Sequence, residues 1–493
     1  MSLKSIALTL LLCFGLWIDA CEAQTDSIAP AATTLNLSDA LSSVTTRYPP
    51  YLAALISRDV ASGRLRAALG AFDLQLFVKT FTNPTGFYES TTVEAGFEQF
   101  LGWRGLTVFG GYQYTEGDLL PDYYYDRRTN AGGTPNVGLR LPLLKGGAID
   151  EERARIGQAR LGQEIVEPAI RKLSIEFGAS AMRTYYKWLG AGQKLAATES
   201  MLQVAEARND AIQSQVDAGL LAPITLIENR QSILTFETAV LAAQQEFQTA
   251  ALALSLFYRD QEEQPVIVQR AQLPHALPEP IALQTTSLTA ALDAASSRRP
   301  EFEEYALKLS AMDIDLRLAL NKTMPKLDAY LRVGESLGRQ LYKDTGELEV
   351  KLGVEFEIPL QRREARGKVE STEAKIAQIE TELRFTLEKL LNETRGSFLA
   401  MELSRERYLR ASENADLTRQ LRDVEADRFR AGASDFLDLQ IREQNSFKAQ
   451  LDKLKAQVDY FESLAAFLAA TAVDFGTEGA TPEILLTQAL GAS

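Results

Sequence analysis

The sequence predicts a mixed chain of long helices and membrane-spanning β-strands, built from one helix–strand–long-helix hairpin unit used twice. Three observations predict it. Short motifs recur in the same order in both halves, and the helical segments carry coiled-coil spacing. The segments between them switch to two-residue alternation, with charge kept to one face.

The duplication comes first. Ala40-Leu41, five residues, then Arg47-Tyr48-Pro49 returns as Ala291-Leu292, five residues, Arg298-Arg299-Pro300. Leu139 to Leu143 is matched by Phe356 to Leu360, with Pro142 on Pro359, and Val216-Asp217-Ala218-Gly219 by Phe429-Arg430-Ala431-Gly432. The first match spans 291 − 40 = 251 residues and the second 359 − 142 = 217, so the first copy holds 251 − 217 = 34 extra residues before Pro142. That is room for one further β-hairpin. The chain then divides into a leader (1–23), a short linker (24–35), a first repeat (36–257), a linker with Pro265, Pro274, Pro278 and Pro280 (258–287), a second repeat (288–475) and a tail (476–493).

Each repeat reads helix, strands, long helix, tight turn, helix. Ile233, Phe236, Val240, Ala243, Phe247, Ala250, Leu254 and Phe257 are spaced by threes and fours, as are Phe447, Leu451, Leu454, Val458, Phe461, Ala465 and Leu468. Such a period keeps one apolar seam toward a partner helix. Pro142 to Gly219 and Pro359 to Gly432 are long enough for helices of about 100 Å, the first kinked at Pro168.

In the strand segments Phe72, Leu74, Leu76 and Val78 alternate with Asp73, Gln75, Phe77 and Lys79. Val137 to Leu143, Leu327 to Val333 and Val350 to Ile358 alternate in the same way. One apolar and one polar face suit a wall between lipid and water. Backbone groups in lipid must be paired, so such a sheet has to close, and four strands cannot close alone. The extra residues add Thr92–Phe100 and Leu106–Tyr114, turning at Gly102 to Gly105, expected as a hairpin on the outer side.

Composition narrows the function. Of 493 residues 46% are apolar and 24% charged, so the chain is globular rather than disordered. A net charge of −14 argues against nucleic acid as a partner. The one histidine, His275, excludes any site needing two, and Cys13 and Cys21 supply no metal or redox motif, so no cofactor is expected. No GxSxG, HExxH or P-loop occurs, so no enzymatic activity is expected. Asp150-Glu151-Glu152-Arg153 and Arg362-Arg363-Glu364 stand where long helices begin and complement the helix dipole. At the amino terminus Lys4 precedes the apolar run Ile6 to Ile18, a secretory signal cleaved after Ala23 or, alternatively, before a lipidated Cys21. No later apolar run reaches the ~20 residues of a membrane helix.

With the duplicated layout, the strand-to-helix corner Pro142-Leu143-Leu144-Lys145-Gly146-Gly147 and the Ala-Gly turns at 218–219 and 431–432, the sequence resembles the TolC-type outer membrane factors from about Asn36 to Phe475. The resemblance implies a homotrimer in the outer membrane, with four strands per chain in one twelve-stranded barrel and a helical tunnel through the periplasm. It implies docking of a periplasmic membrane-fusion adaptor and an inner-membrane RND or ABC transporter, with Ala218, Gly219, Leu220, Ala431, Gly432 and Ala433 as the matching tips. It also implies an acidic ring at the narrow end, matched by Asp438; the second ring position is Ile441 and departs from the pattern. The positions of the closed-state latch are Ser434 and Ile224 or Thr225, which cannot form its ion pair, leaving Arg428 or Arg430 with Asp210 or Asp217 as the substitute expected. Asp438, Thr225 and Ser434 are thus the candidate constriction residues. The alternative is a periplasmic coiled-coil structural or adaptor protein, which accounts for the seams but not for the paired strands.

Overall fold

Both repeats open with the same proline-set corner. α1 (Leu37–Arg47) ends where α2 (Pro49–Leu69) begins, and α6 (Leu288–Arg298) ends where α7 (Pro300–Lys322) begins. A proline in the first turn loses no hydrogen bond and presets φ. It also forces the residue before it out of the helical region, and Tyr48 and Arg299 are extended, with ψ 114° and 122°. The computed structural model describes residues 34–86, 88–118, 120–121, 127–281, 288–343, 345–477 and 479–490. The leader, with its cleavage site and Cys21, lies outside them.

The strands form one antiparallel sheet in chain order: β1 (Gln75–Asn83), β2 (Ser90–Phe100), β3 (Thr107–Gly117), β4 (Thr134–Pro142), β5 (Lys326–Glu335) and β6 (Leu348–Glu357). The four segments marked by alternation are β1, β4, β5 and β6. The first begins at Gln75 rather than Phe72, because Gly70–Phe72 is taken by a 3-10 turn.

The added hairpin is β2–β3, and its position corrects the expectation. It is not an appendage on the outer side. β2 pairs with β1 from Gln75↔Glu98 to Asn83↔Ser90, and β3 pairs with β4 from Thr107↔Arg140 to Gln113↔Thr134. Its turn at 101–106 lies at the end where the helices attach, since β1 leads away from α2 and β2 returns. Insertion between β1 and β4 gives both outer edges of the hairpin a ladder partner, which an outer appendage does not have. The chain therefore gives six strands, not four, and twelve strands from three chains no longer follows.

Two helical hairpins extend from the other side of this corner. The first is α3 (Glu151–Glu164), α4 (Val166–Asp217) and α5 (Ile224–Ser255); the second is α8 (Arg363–Arg430) and α9 (Phe436–Ala470). With 68 residues, α8 is about 100 Å long. The break at Ile165 sits where Pro168 has no N–H to give the Glu164 carbonyl. Among the described residues no helix is long and apolar enough to cross a membrane.

The main core lies between sheet and hairpin tips, where α1, α4, α5 and α9 meet. Trp188, Tyr186, Tyr460, Phe461 and Phe467 are fully buried there, and Tyr186 stacks on Phe461 with ring centroids 4.1 Å apart. The Pro-rich linker is packed onto this core rather than left loose. Val268 and Leu277 are buried, and Gln193 and Gln457 donate to the carbonyls of Pro274 (3.0 Å), His275 (3.0 Å) and Pro278 (2.8 Å). The tail carries a helix, α10 (Pro482–Ala489), whose Leu485, Leu486 and Ala489 are buried. Phe461→Ala removes a stacked ring from the best-packed layer. We expect it to destabilise the protein by about 3–5 kcal/mol, read as a lowered thermal midpoint in detergent.

Candidate functional site

The ladder pairings sort every strand residue onto one of two faces. One face carries Leu76 and Val78 of β1, Val93, Ala95 and Phe97 of β2, and Val108 and Tyr112 of β3. It continues through Val137 and Leu139 of β4, Leu331 and Val333 of β5, and Val350, Leu352, Val354 and Phe356 of β6. Its charges are Glu116, opposite Thr91, and Glu335, opposite Leu348, both at the border away from the helices. The rows between them and the helices bear none, and Leu76, Val78, Leu352 and Val354 are among the most exposed apolar side chains of the chain.

The opposite face holds Lys79, Glu94, Glu98, Arg140, Lys326, Asp328, Arg332, Glu349, Lys351, Glu355 and Glu357. These charges neutralise one another. Lys326 Nζ lies 2.7 Å from Glu355 and 3.7 Å from Asp328, and Arg140 lies 3.8 Å from Glu98. The inserted hairpin obeys the same division, so β2 and β3 continue the two faces of the other four strands.

Beyond the sheet, residues that precede α3 are tied into a corner. Asp150 caps α3 by accepting from the Arg153 N–H (2.8 Å), and Arg153 reaches back to the carbonyls of Gly147 (3.1 Å) and Ala148 (3.2 Å). The charged run thus anchors the strand-to-helix turn besides complementing the dipole.

The two hairpin tips close identically. Gly219 has φ +75° and Gly432 has φ +71°. At the first tip Gly219 N–H donates to Val216 (2.9 Å) and Leu220 N–H to Gln215 (2.8 Å); at the second, Gly432 donates to Phe429 (3.0 Å) and Ala433 to Arg428 (2.8 Å). This is a Schellman cap in both repeats, which needs the left-handed residue that glycine supplies. Ala218, Gly219, Leu220, Ala431, Gly432 and Ala433 are all exposed.

The candidate constriction residues separate. Asp438 is exposed in the first turn of α9, its N–H donating to the cap residue Asp435 at 2.9 Å. Thr225 is buried inside the protomer and so cannot face an aperture. Ser434 is half-buried, its hydroxyl donating to Glu425. The substitute latch does not form: Arg428 pairs with Glu425 at 3.3 Å and Arg430 with Asp427, each within α8, where i,i+3 neighbours are closer than any group on the first hairpin.

A different ion pair joins the hairpins. Arg208 of α4 lies 2.7 Å from Glu443 of α9, both side chains largely buried, with the guanidinium over the Phe436 ring at 5.4 Å. Nearby, Gln440 donates to Ser232 of α5 at 2.6 Å. The sequence carried one sign of this: Glu443 is the charged member of the buried stripe Phe436, Leu439, Glu443, Ser446 and Ala449.

No protein-family model matches the chain, and no curated protein matches it in sequence. In three dimensions it is similar to the open state of the Neisseria gonorrhoeae MtrE outer membrane channel, with a TM-score of 0.67 at 14% identity over 90% of this chain and 91% of that one. CusC, solved in work on folding and transmembrane channel formation, gives 0.64 at 14% over 92% and 95%. The outer membrane protein VceC from Vibrio cholerae gives 0.62 at 16% over 89% and 96%. The chain has the fold of these outer-membrane channels. At the level of fold, the resemblance carried by the duplicated layout and the Ala-Gly tips is borne out.

Arg208→Ala strands the Glu443 carboxylate in a largely buried place. We expect a loss of about 3 kcal/mol in denaturant unfolding, while Arg208→Met with Glu443→Leu stays within about 1 kcal/mol of the unsubstituted protein.

Proposed function

We propose that the chain is the outer-membrane channel of a tripartite efflux or type I secretion system. The observation that carries this is the division of all six strands into an apolar face, charged only at its border by Glu116 and Glu335, and a charged face. A water-soluble sheet with that much bare apolar surface would aggregate, whereas a bilayer covers one face and leaves the other on a wet lumen. The channel is a homotrimer in the outer membrane, its helical hairpins extending through the periplasm.

A second apolar seam supports assembly. Ile227, Leu234 and Leu241 on α5 are exposed at heptad spacing, and Leu417 and Val424 repeat it on α8. The protomer's own packing uses other faces of these helices, so the seams suit neighbouring copies, first hairpin against second.

The conduit is passive. A periplasmic membrane-fusion adaptor docks on the exposed tips at 218–220 and 431–433, and an inner-membrane RND or ABC transporter supplies the energy. Asp438, exposed just past the second tip, is the acidic residue placed to form a ring of carboxylates about the axis. Such a ring attracts cations.

The reading is tested by extraction. A trimer that needs detergent, shifts on heating in denaturing gels and conducts ions in planar bilayers supports it; a rod soluble without detergent points to the coiled-coil alternative. Within the channel, Asp438→Ala is expected to lower cation over anion selectivity. An unchanged reversal potential in a salt gradient removes Asp438 from that role.

A further inference from the structure

We propose that the six-stranded sheet is one third of an eighteen-stranded barrel. β1 of one copy pairs with β6 of the next in a single register, with Gln75 opposite Glu357 and Asn83 opposite Glu349. This rests on the trimeric channel reading above and adds the strand number, the seam and the bore.

The sheet ends on β1 and β6, which are not paired with each other. β1 leads away from the helices and β6 leads back to them, so a neighbour's β6 meets β1 antiparallel, as in every other pair of the sheet. The interface is head-to-tail and repeats until the ring closes.

The register follows from the stagger of the sheet. At the helical border Gln75 faces Glu98, and β2 runs two residues further to Phe100. Phe100 faces Thr107, which faces Arg140, and β4 runs two residues further to Pro142. Pro142 faces Asp328, and β5 begins two residues earlier at Lys326, which faces Glu357, the last residue of β6. The border therefore steps down by about one residue per strand. With ~3.3 Å per residue and ~4.8 Å between strands, that is a tilt of about 35°, the slope at which closed barrels form.

A second pattern steps identically. On the polar face an aromatic residue on the first strand of each hairpin faces a glycine on the second: Phe77 and Gly96, Phe109 and Gly138, Tyr330 and Gly353. At each glycine a Cβ would fall within 3.0 Å of the facing ring, so the ring lies flat across the glycine. Gly96 faces Gly111, two residues beyond Phe109, and Gly138 faces Arg332, two beyond Tyr330. The same step sets Gly353 opposite Lys79 of the next copy, two beyond its Phe77. That is the register the border gives.

In this register Leu76 meets Phe356 and Val78 meets Val354 on the lipid face. A slip of one residue would turn Glu355 and Glu357 toward lipid. Eighteen strands at this tilt make a cylinder about 34 Å across the backbone, against about 22 Å for twelve, in the range that leaves a water-filled bore. The rings folded onto glycines girdle that bore without filling it.

The test is cysteine cross-linking of the full chain purified from the outer membrane. Thr80→Cys with Leu352→Cys, and Phe81→Cys with Lys351→Cys, take neighbouring matched pairs on the two faces, so one pair is hydrogen-bonded and the other is not; Val78→Cys with Val354→Cys replaces either if it fails to assemble. Matched Cα atoms lie within disulfide reach. Lys79→Cys with Glu349→Cys, four residues out of register, is the control. On mild oxidation the matched pairs are expected to give dimers and trimers on a non-reducing denaturing gel, three chains being the largest species, and the control monomer only. Cross-linking of the control instead, or a largest species of two chains, overturns the proposal, as does monomer alone from the matched pairs while the unsubstituted protein conducts ions. An unsubstituted protein that does not conduct overturns the channel reading itself.

Discussion

Backbone pairing in lipid is the constraint on which the rest of this architecture depends. Each strand residue brings an N–H and a C=O that hydrocarbon cannot satisfy. The sheet meets that demand internally for β2 to β5 and leaves it open at β1 and β6. A chain with two open edges and a largely apolar outer face is therefore an incomplete object. Uncovered heptad positions on α5 and α8 say the same of the helices. Edges and seams are both suited to head-to-tail neighbours, so in the assembly proposed above one step completes wall and tunnel together.

Duplication explains how one chain meets both requirements. Each repeat supplies a proline-started helix pair, an outward and a returning strand, a long helix and a Schellman-capped return. An even number of strands brings the chain back to the helical side, so a hairpin can be inserted without disturbing either long helix. A single inserted strand would have left the chain on the wrong side of the membrane. The sequence permits the insertion at β2–β3 because both strands keep the apolar and polar division of their neighbours.

Local periodicity made much of this legible. The alternation that identifies β1, β4, β5 and β6, the Ala-Gly tips and the break governed by Pro168 depend on residues close in sequence. The side of the sheet reached by the β2–β3 turn does not. Gly102 to Gly105 make a turn at either end, and only the direction of β1 decides between them. In the sequence Thr225 is a candidate constriction residue because the resemblance matches it to a latch position, yet the rotation of α5 buries it. Arg208 and Glu443 are 235 positions apart, so their pairing depends on how the two repeats pack. The Pro-rich segment reads as a linker because its composition excludes helix, although its carbonyls and Leu277 are taken up by the core.

The charge on the lumen wall bears on where selection occurs. Lys326 is shared between Glu355 and Asp328, Arg140 lies near Glu98, and Lys351 lies 3.7 Å from Glu349. Cations and carboxylates alternate closely enough to cancel within a Debye length, so the wall presents no single-sign field to a passing solute. Flat rings on Phe77, Phe109 and Tyr330 add no plug. A wall of this kind keeps an exit open and wet but does not discriminate. On the channel reading proposed above, discrimination then falls to the place where the helices end. There the tips are exposed, Asp438 stands unburied beside them, and the Arg208–Glu443 pair holds the two hairpins of one protomer at a fixed spacing. On that same channel reading, the selective element is set by helix packing at the hairpin tips, and the sheet supplies passage.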